Sequence, residues 1–142
     1  MENTHKSRKT FINLAVTDLN KSMEFFRKLG FTFNLQFTNE AGACMIISEE
    51  AYAMLLTRPF FQSFTPREIC DTSTHTEAII AISCDSREEV NQMVNTAIEA
   101  GGKHVKDPQD HGFMYGWSFY DLDGHNWEVF WMDPAHVLPQ QA

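Results

Sequence analysis

The sequence predicts an α+β fold built from two tandem βαβββ modules, and three observations predict it. Two amphipathic helical segments each follow a strand-like run and each end at glycine, Gly30 and Gly101. The order strand, helix, three strands occurs twice along 142 residues, enough for one ordinary domain. The two helix entries also align locally: Ala15-Val16-Thr17-Asp18 leads into the first and Ala81-Ile82-Ser83-Cys84-Asp85 into the second. In such a unit the helix covers one face of its sheet. The uncovered faces must then meet each other, a ligand or a second chain.

The first module spans residues 10–57. Phe11 to Val16 alternates, with Ile12, Leu14 and Val16 on one face and Phe11, Asn13 and Ala15 on the other. Asp18 or Asn20 can cap a helix whose apolar residues are Leu19, Met23, Phe26 and Leu29. Strands are expected at Thr32 to Thr38, Ala43 to Ser48 and Tyr52 to Thr57, broken by Asn39 to Gly42 and by Glu49-Glu50. Residues 58–76 hold Pro59 and Pro66 and no alternation, so they read as a crossover loop, with one helical turn possible at Thr65-Pro66.

The second module spans residues 77–131. Glu77 to Cys84 is a strand with Ile79, Ala81 and Ser83 on one face. Ser86 to Glu89 is a capping box, and Val90, Met93, Val94, Ala97 and Ile98 form a helical stripe behind it. Strands follow at Lys103 to Lys106, Phe113 to Tyr120 and His125 to Trp131, the last two joined by the turn Asp121-Leu122-Asp123-Gly124.

Composition narrows the function classes. Acidic residues number 19 against 11 basic ones, a net charge of −8, so nucleic acid and anionic membrane surfaces are not expected partners. Three cysteines, Cys44, Cys70 and Cys84, contain no CxxC and read as small buried hydrophobes. The first ten residues read as a polar lead-in, and no run has the length of a membrane span, which points to a cytoplasmic protein. Aromatic residues make up 13% of the chain, a supply that must line a core, a pocket or an interface.

Two segments resemble the vicinal oxygen chelate superfamily of glyoxalases, bleomycin-resistance proteins and extradiol dioxygenases. They are Leu14 to Phe26 continuing through Leu29-Gly30-Phe31, and Asp121-Leu122-Asp123-Gly124-His125-Asn126-Trp127-Glu128. Asp110 to Tyr115 and Trp131 to Pro134 further resemble a small bacterial glyoxalase-like subgroup. The resemblance implies curved mixed sheets around a cleft, helices on the outer faces, and homodimers. It also implies metal ligands on the inward faces of the first, fourth, fifth and eighth strands. Those positions fall on Phe11, Leu55, Ile79 and Glu128, and a register error of one residue would substitute Ile12, Met54 or Ile80. One carboxylate cannot hold a divalent ion against water, so no metal site and no cofactor are expected.

Strand parity instead predicts an apolar, aromatic cleft. Its expected ligand-binding residues are Phe11, Asn13, Leu55, Ile79, Tyr115, Trp117 and Phe130, with Met114 and Phe119 as the other choice on the seventh strand. Glu128 is the expected catalytic residue, if it points inward among apolar neighbours; otherwise it is hydrogen-bonded to Asn13 or a backbone amide. Three functions follow: a binder of a small aromatic or cationic molecule, a divergent lyase or isomerase using Glu128, or a structural domain with a filled cavity. Glu77 and Arg58 are further candidates for the site, and Asp110-His111 reads as loop chemistry.

Overall fold

A computed structural model describes residues 5–136, so the first four residues of the expected lead-in lie outside it. The chain divides between Ile69 and Cys70 into two compact units. The structure is α+β, with two mixed sheets of four and five strands.

In the first unit the strands are β1 (Thr10–Val16), β2 (Thr32–Asn34), β3 (Gly42–Ile46) and β4 (Ala51–Thr57), in the sheet order β1-β4-β3-β2. The β1–β4 pair is parallel and the other pairs are antiparallel. Helix α1 (Leu19–Lys28) is capped by Asp18, whose carboxylate accepts from the Lys21 amide at 3.1 Å. It ends at Gly30, which takes φ 103°, a conformation that suits glycine. α1 packs on β3 and β4 and buries Leu19, Met23 and Phe26.

Three expectations are corrected here. The strand expected at Thr32 to Thr38 stops at Asn34, and Leu35–Phe37 forms a 3-10 turn, capped by the Asn34 side chain. The crossover contains a helix, α2 (Arg58–Gln62), which begins at Arg58-Pro59 and not at Thr65-Pro66. Leu55 pairs with Leu14 and Ala43 and is fully buried, so it shares a face with Ala53 and Met45 rather than with Phe11. The face of Phe11 and Asn13 carries Tyr52 and Met54 instead.

In the second unit the strands are β5 (Ile79–Ser83), β6 (Lys103–His104), β7 (Gln109–Asp110), β8 (Met114–Tyr120) and β9 (Asn126–Met132). The order is β5-β9-β8-β6, with β7 also paired to β8, and β5–β9 is parallel. The two-residue β7 was not expected. Helix α3 (Arg87–Glu99) packs on β8 and β9, burying Val90, Val94 and Ala97 against Phe119, Trp127 and Val129. Its cap is wider than the expected box: Ser86 accepts from the Glu89 amide at 3.0 Å, while the Glu89 carboxylate accepts from the Asp85 amide at 2.6 Å. Cys44 and Cys84 are buried and Cys70 is half-buried. Burial, then the neighbouring Glu89 and Asp85, pushes the Cys84 thiol up to about 11. No helix among the described residues is long and apolar enough to cross a membrane.

Candidate functional site

In a β-ladder, directly paired residues share a face. The ladder of the second unit therefore sorts the site residues. Opposite the α3 side, β8 presents Met114, Gly116 and Ser118, and β9 presents Met132, Phe130 and Glu128 as their partners. β5 adds Ile79, Ala81 and Ser83 to the same face, because Ala81 pairs with Glu128 and Ser83 with Phe130. Ile79 lies at the exposed end of this row.

A pocket of about 250 Å³ opens on this face. Met114, Gly116, Phe130 and Met132 give it an apolar lining, and Ser118 and Glu128 close one end. Gln109 and His111 line it from the β7 side, with Lys106 and Asp107 also at its border. The Glu128 side chain makes no hydrogen bond or ion pair with any described residue, so the partner expected for it, Asn13 or a backbone amide, is not found. Ser118 is only 4% exposed, and its Oγ has no hydrogen-bond partner among the described residues. A buried hydroxyl without a partner is costly, and a water, an ion or a ligand group would satisfy it.

Tyr115 leaves the expected set. It pairs with Trp131 on the α3 side, where its hydroxyl donates to Asn91 at 2.6 Å. Trp117 is also on that side by register, paired with Val129. It nevertheless borders the pocket beside Lys106, whose carbonyl accepts from its indole N–H at 2.8 Å. Met114 belongs to the pocket and Phe119 to the core, so the two are not alternatives on one face.

In the first unit, Phe11 and Asn13 lie on the face away from α1, and both are exposed. The Phe11 ring stacks on Tyr52 at 4.8 Å, and Lys9 lies over the Tyr52 ring. Arg58 starts α2.

Two features escaped the sequence reading. The first is a clamp between α3 and β7, the strand whose neighbouring residues Gln109 and His111 border the pocket. Arg87 donates to both oxygens of Asp110, at 2.7 and 3.1 Å, and to the Gly112 carbonyl at 2.9 Å. Its guanidinium lies 5.3 Å from the Tyr115 ring and 5.0 Å from the Trp131 ring. The Arg87 hydrogen bond, then the Gly112 amide, holds the Asp110 carboxyl below the usual carboxylate range. Its signal was present in the sequence, since a cation in the first turn of a helix opposes the macrodipole. The second feature is the knot behind Asp121-Leu122-Asp123-Gly124. Asp121 accepts from the Asp123 and His125 amides and from the Trp127 indole N–H, at 2.9, 3.0 and 3.0 Å. His125 Nδ1 lies 3.4 Å from Glu77, so the Glu77 carboxylate serves the turn rather than the pocket.

A family model for the glyoxalase/bleomycin resistance protein/dioxygenase superfamily matches residues 10–129. The chain belongs to this superfamily. A hypothetical protein from S. aureus, SA1046, is 32% identical over 84% of this chain and 90% of its own, with a TM-score of 0.74. A glyoxalase-related enzyme from Fulvimarina pelagi shares the fold at 18% identity, covering 89% and 88% of the two chains with a TM-score of 0.75. The fosfomycin resistance protein FosX from Mesorhizobium loti shares it at 14% identity, covering 91% and 92% with a TM-score of 0.60. No curated protein matches the chain.

The glyoxalase-type metal site can be tested unit by unit. On the relevant face the first unit offers Phe11, Asn13, Tyr52 and Met54, and the second offers Ile79, Ala81 and Glu128. Apart from the Glu128 carboxylate these are not the His, Glu or Gln side chains that a divalent ion of this kind takes. Among the described residues no three of His, Cys, Asp and Glu gather as a group able to hold a metal ion. The residues do not fit that site.

Proposed function

We propose that this chain is a small-molecule-binding member of the glyoxalase/bleomycin resistance superfamily, with its binding site on the open face of β8 and β9. One observation carries the reading: Glu128 and the buried Ser118 Oγ, both without partners among the described residues, stand at one end of an otherwise apolar pocket. Apolar lining with a few convergent polar groups is the general character of a ligand site. A pocket of about 250 Å³ also weighs against the filled-cavity alternative. The reading includes a cytoplasmic location and a homodimer, and light scattering checks the homodimer.

Thermal unfolding against a panel of aromatic, cationic and neutral compounds tests the proposal. A ligand at a hundred times its Kd should stabilise the native state by about 2.7 kcal/mol. Loss of that stabilisation in Phe130→Ala supports the site. A flat response across the panel counts against it.

The free carboxylate of Glu128 favours one second reading, a lyase or isomerase in which it moves a proton to or from the substrate. Turnover of an α-keto substrate that disappears in Glu128→Gln, with binding retained, is the result this reading requires.

A further inference from the structure

We infer that the pocket takes an elongated amphiphilic amine, its ammonium seated between Glu128 and Ser118 and its apolar body lying over Gly116 toward Met114 and Met132. This rests on the pocket being a binding site, and it adds the chemical class and orientation of the ligand.

The ladder makes the pocket polar in one direction. Three cross-strand pairs form its floor in sequence: Ser118 with Glu128, Gly116 with Phe130, and Met114 with Met132. Side chains two residues apart on a strand stand about 7 Å from each other, so the row runs about 14 Å from end to end. One end presents a carboxylate and a hydroxyl oxygen, both able to accept. The middle is a glycine beside an aromatic ring. The far end is a pair of thioethers, soft groups that fit apolar and aromatic bodies.

The acceptor end selects a donor with positive charge. An ammonium has three N–H donors and no acceptor, so it can satisfy Glu128 and the Ser118 Oγ together. A carboxylate ligand would set like charges against each other at Glu128. The basic residue at the border, Lys106, comes from the segment before β7, on the opposite side of β8 from β9, and Asp107 follows it. The net charge of −8 adds a favourable field for a cation.

Gly116 sets the shape. It has no positive φ, and a Cβ there would meet only the Val129 carbonyl at 3.7 Å and the Phe130 Cβ at 3.8 Å, ordinary contact distances. The backbone therefore does not require glycine, and glycine inside a strand weakens the strand. What it provides is a flat floor opposite Phe130 on which a planar or extended apolar group can lie. This makes Gly116 a specificity-determining residue.

The test is calorimetric titration of the full chain with 4-phenylbutylamine, 4-phenylbutan-1-ol and 4-phenylbutyrate at neutral pH, where the amine is protonated. The amine is expected to bind about ten-fold more tightly than the alcohol, the value of one hydrogen bond to a charged group. Glu128→Gln should abolish that preference, bringing the amine's affinity down to that of the alcohol. Ser118→Ala should weaken the amine more than the alcohol. Gly116→Val should weaken all binding without lowering the Tm. If the alcohol or the butyrate binds as tightly as the amine, in a Gly116-dependent way, the amine class is overturned and the pocket stands. If no probe binds, or binding ignores Gly116→Val, the pocket reading falls as well.

Discussion

Gly124 shows how a single residue holds the turn behind β9. Its φ is +86°, and an added Cβ would collide with the Thr72 carbonyl oxygen. Thr72 in turn donates through its hydroxyl to the Asp123 carbonyl. Gly124→Ala should therefore cost more than the usual left-handed penalty of about 1–2 kcal/mol, read by urea denaturation. Asp121 beside it offers a pH test. Burial, only partly offset by His125 and the Trp127 hydrogen bond, pushes its carboxyl above the usual carboxylate range. A raised native pKa means the folded state binds the proton more tightly, so Asp121 stabilises the fold below its unfolded pKa and loses that contribution as pH rises through the native value. The stability of the native protein relative to Asp121→Asn should accordingly grow as pH falls through that range. A difference that shrinks with acidification would contradict the assignment. Gly30, Gly101 and the Asp-x-Asp-Gly turn were legible in the sequence because glycine and aspartate serve turns by their own local chemistry. Gly116 and Ser118 were not, because a small residue in a strand gains its meaning from what stands opposite.

At the scale of elements, the two helices and most strands followed from periodicity, and the exceptions have a common cause. In Ala51 to Leu56 both faces are buried in part, since α2 packs on β1 and β4. An element buried on two sides has no alternation to read, so Leu55 could not be placed by parity. The same holds for β8, where Tyr115 and Trp117 face one way and Met114 and Gly116 the other, both with apolar surroundings. Leu55→Ala should destabilise the protein by about 2–5 kcal/mol, the usual cost of truncating a buried leucine, and leave ligand affinity unchanged. Phe130→Ala should do the reverse, weakening binding with a smaller loss of stability. The clamp from α3 to β7 gives a dynamic prediction. Arg87→Ala should speed hydrogen exchange of the His111 amide, which donates to the Met114 carbonyl at 2.8 Å. Exchange as slow as in the native protein would show that the strand pairing alone holds this wall.

For the whole molecule, two units of the same element order carry different chemistry. The first unit presents stacked Phe11 and Tyr52 on its open face, while the second presents a pocket with two unpartnered polar groups. Duplication and superfamily membership were readable from the sequence, whereas the location of the pocket required the register of β8 on β9. The central claim is that small molecules bind on that second face. Amide chemical shifts followed by NMR during titration with 4-phenylbutylamine test it most directly. The account predicts saturable shifts concentrated at Met114, Gly116, Ser118, Glu128 and Phe130. Shifts confined to Phe11, Asn13 and Tyr52, or none at saturating ligand, would contradict it.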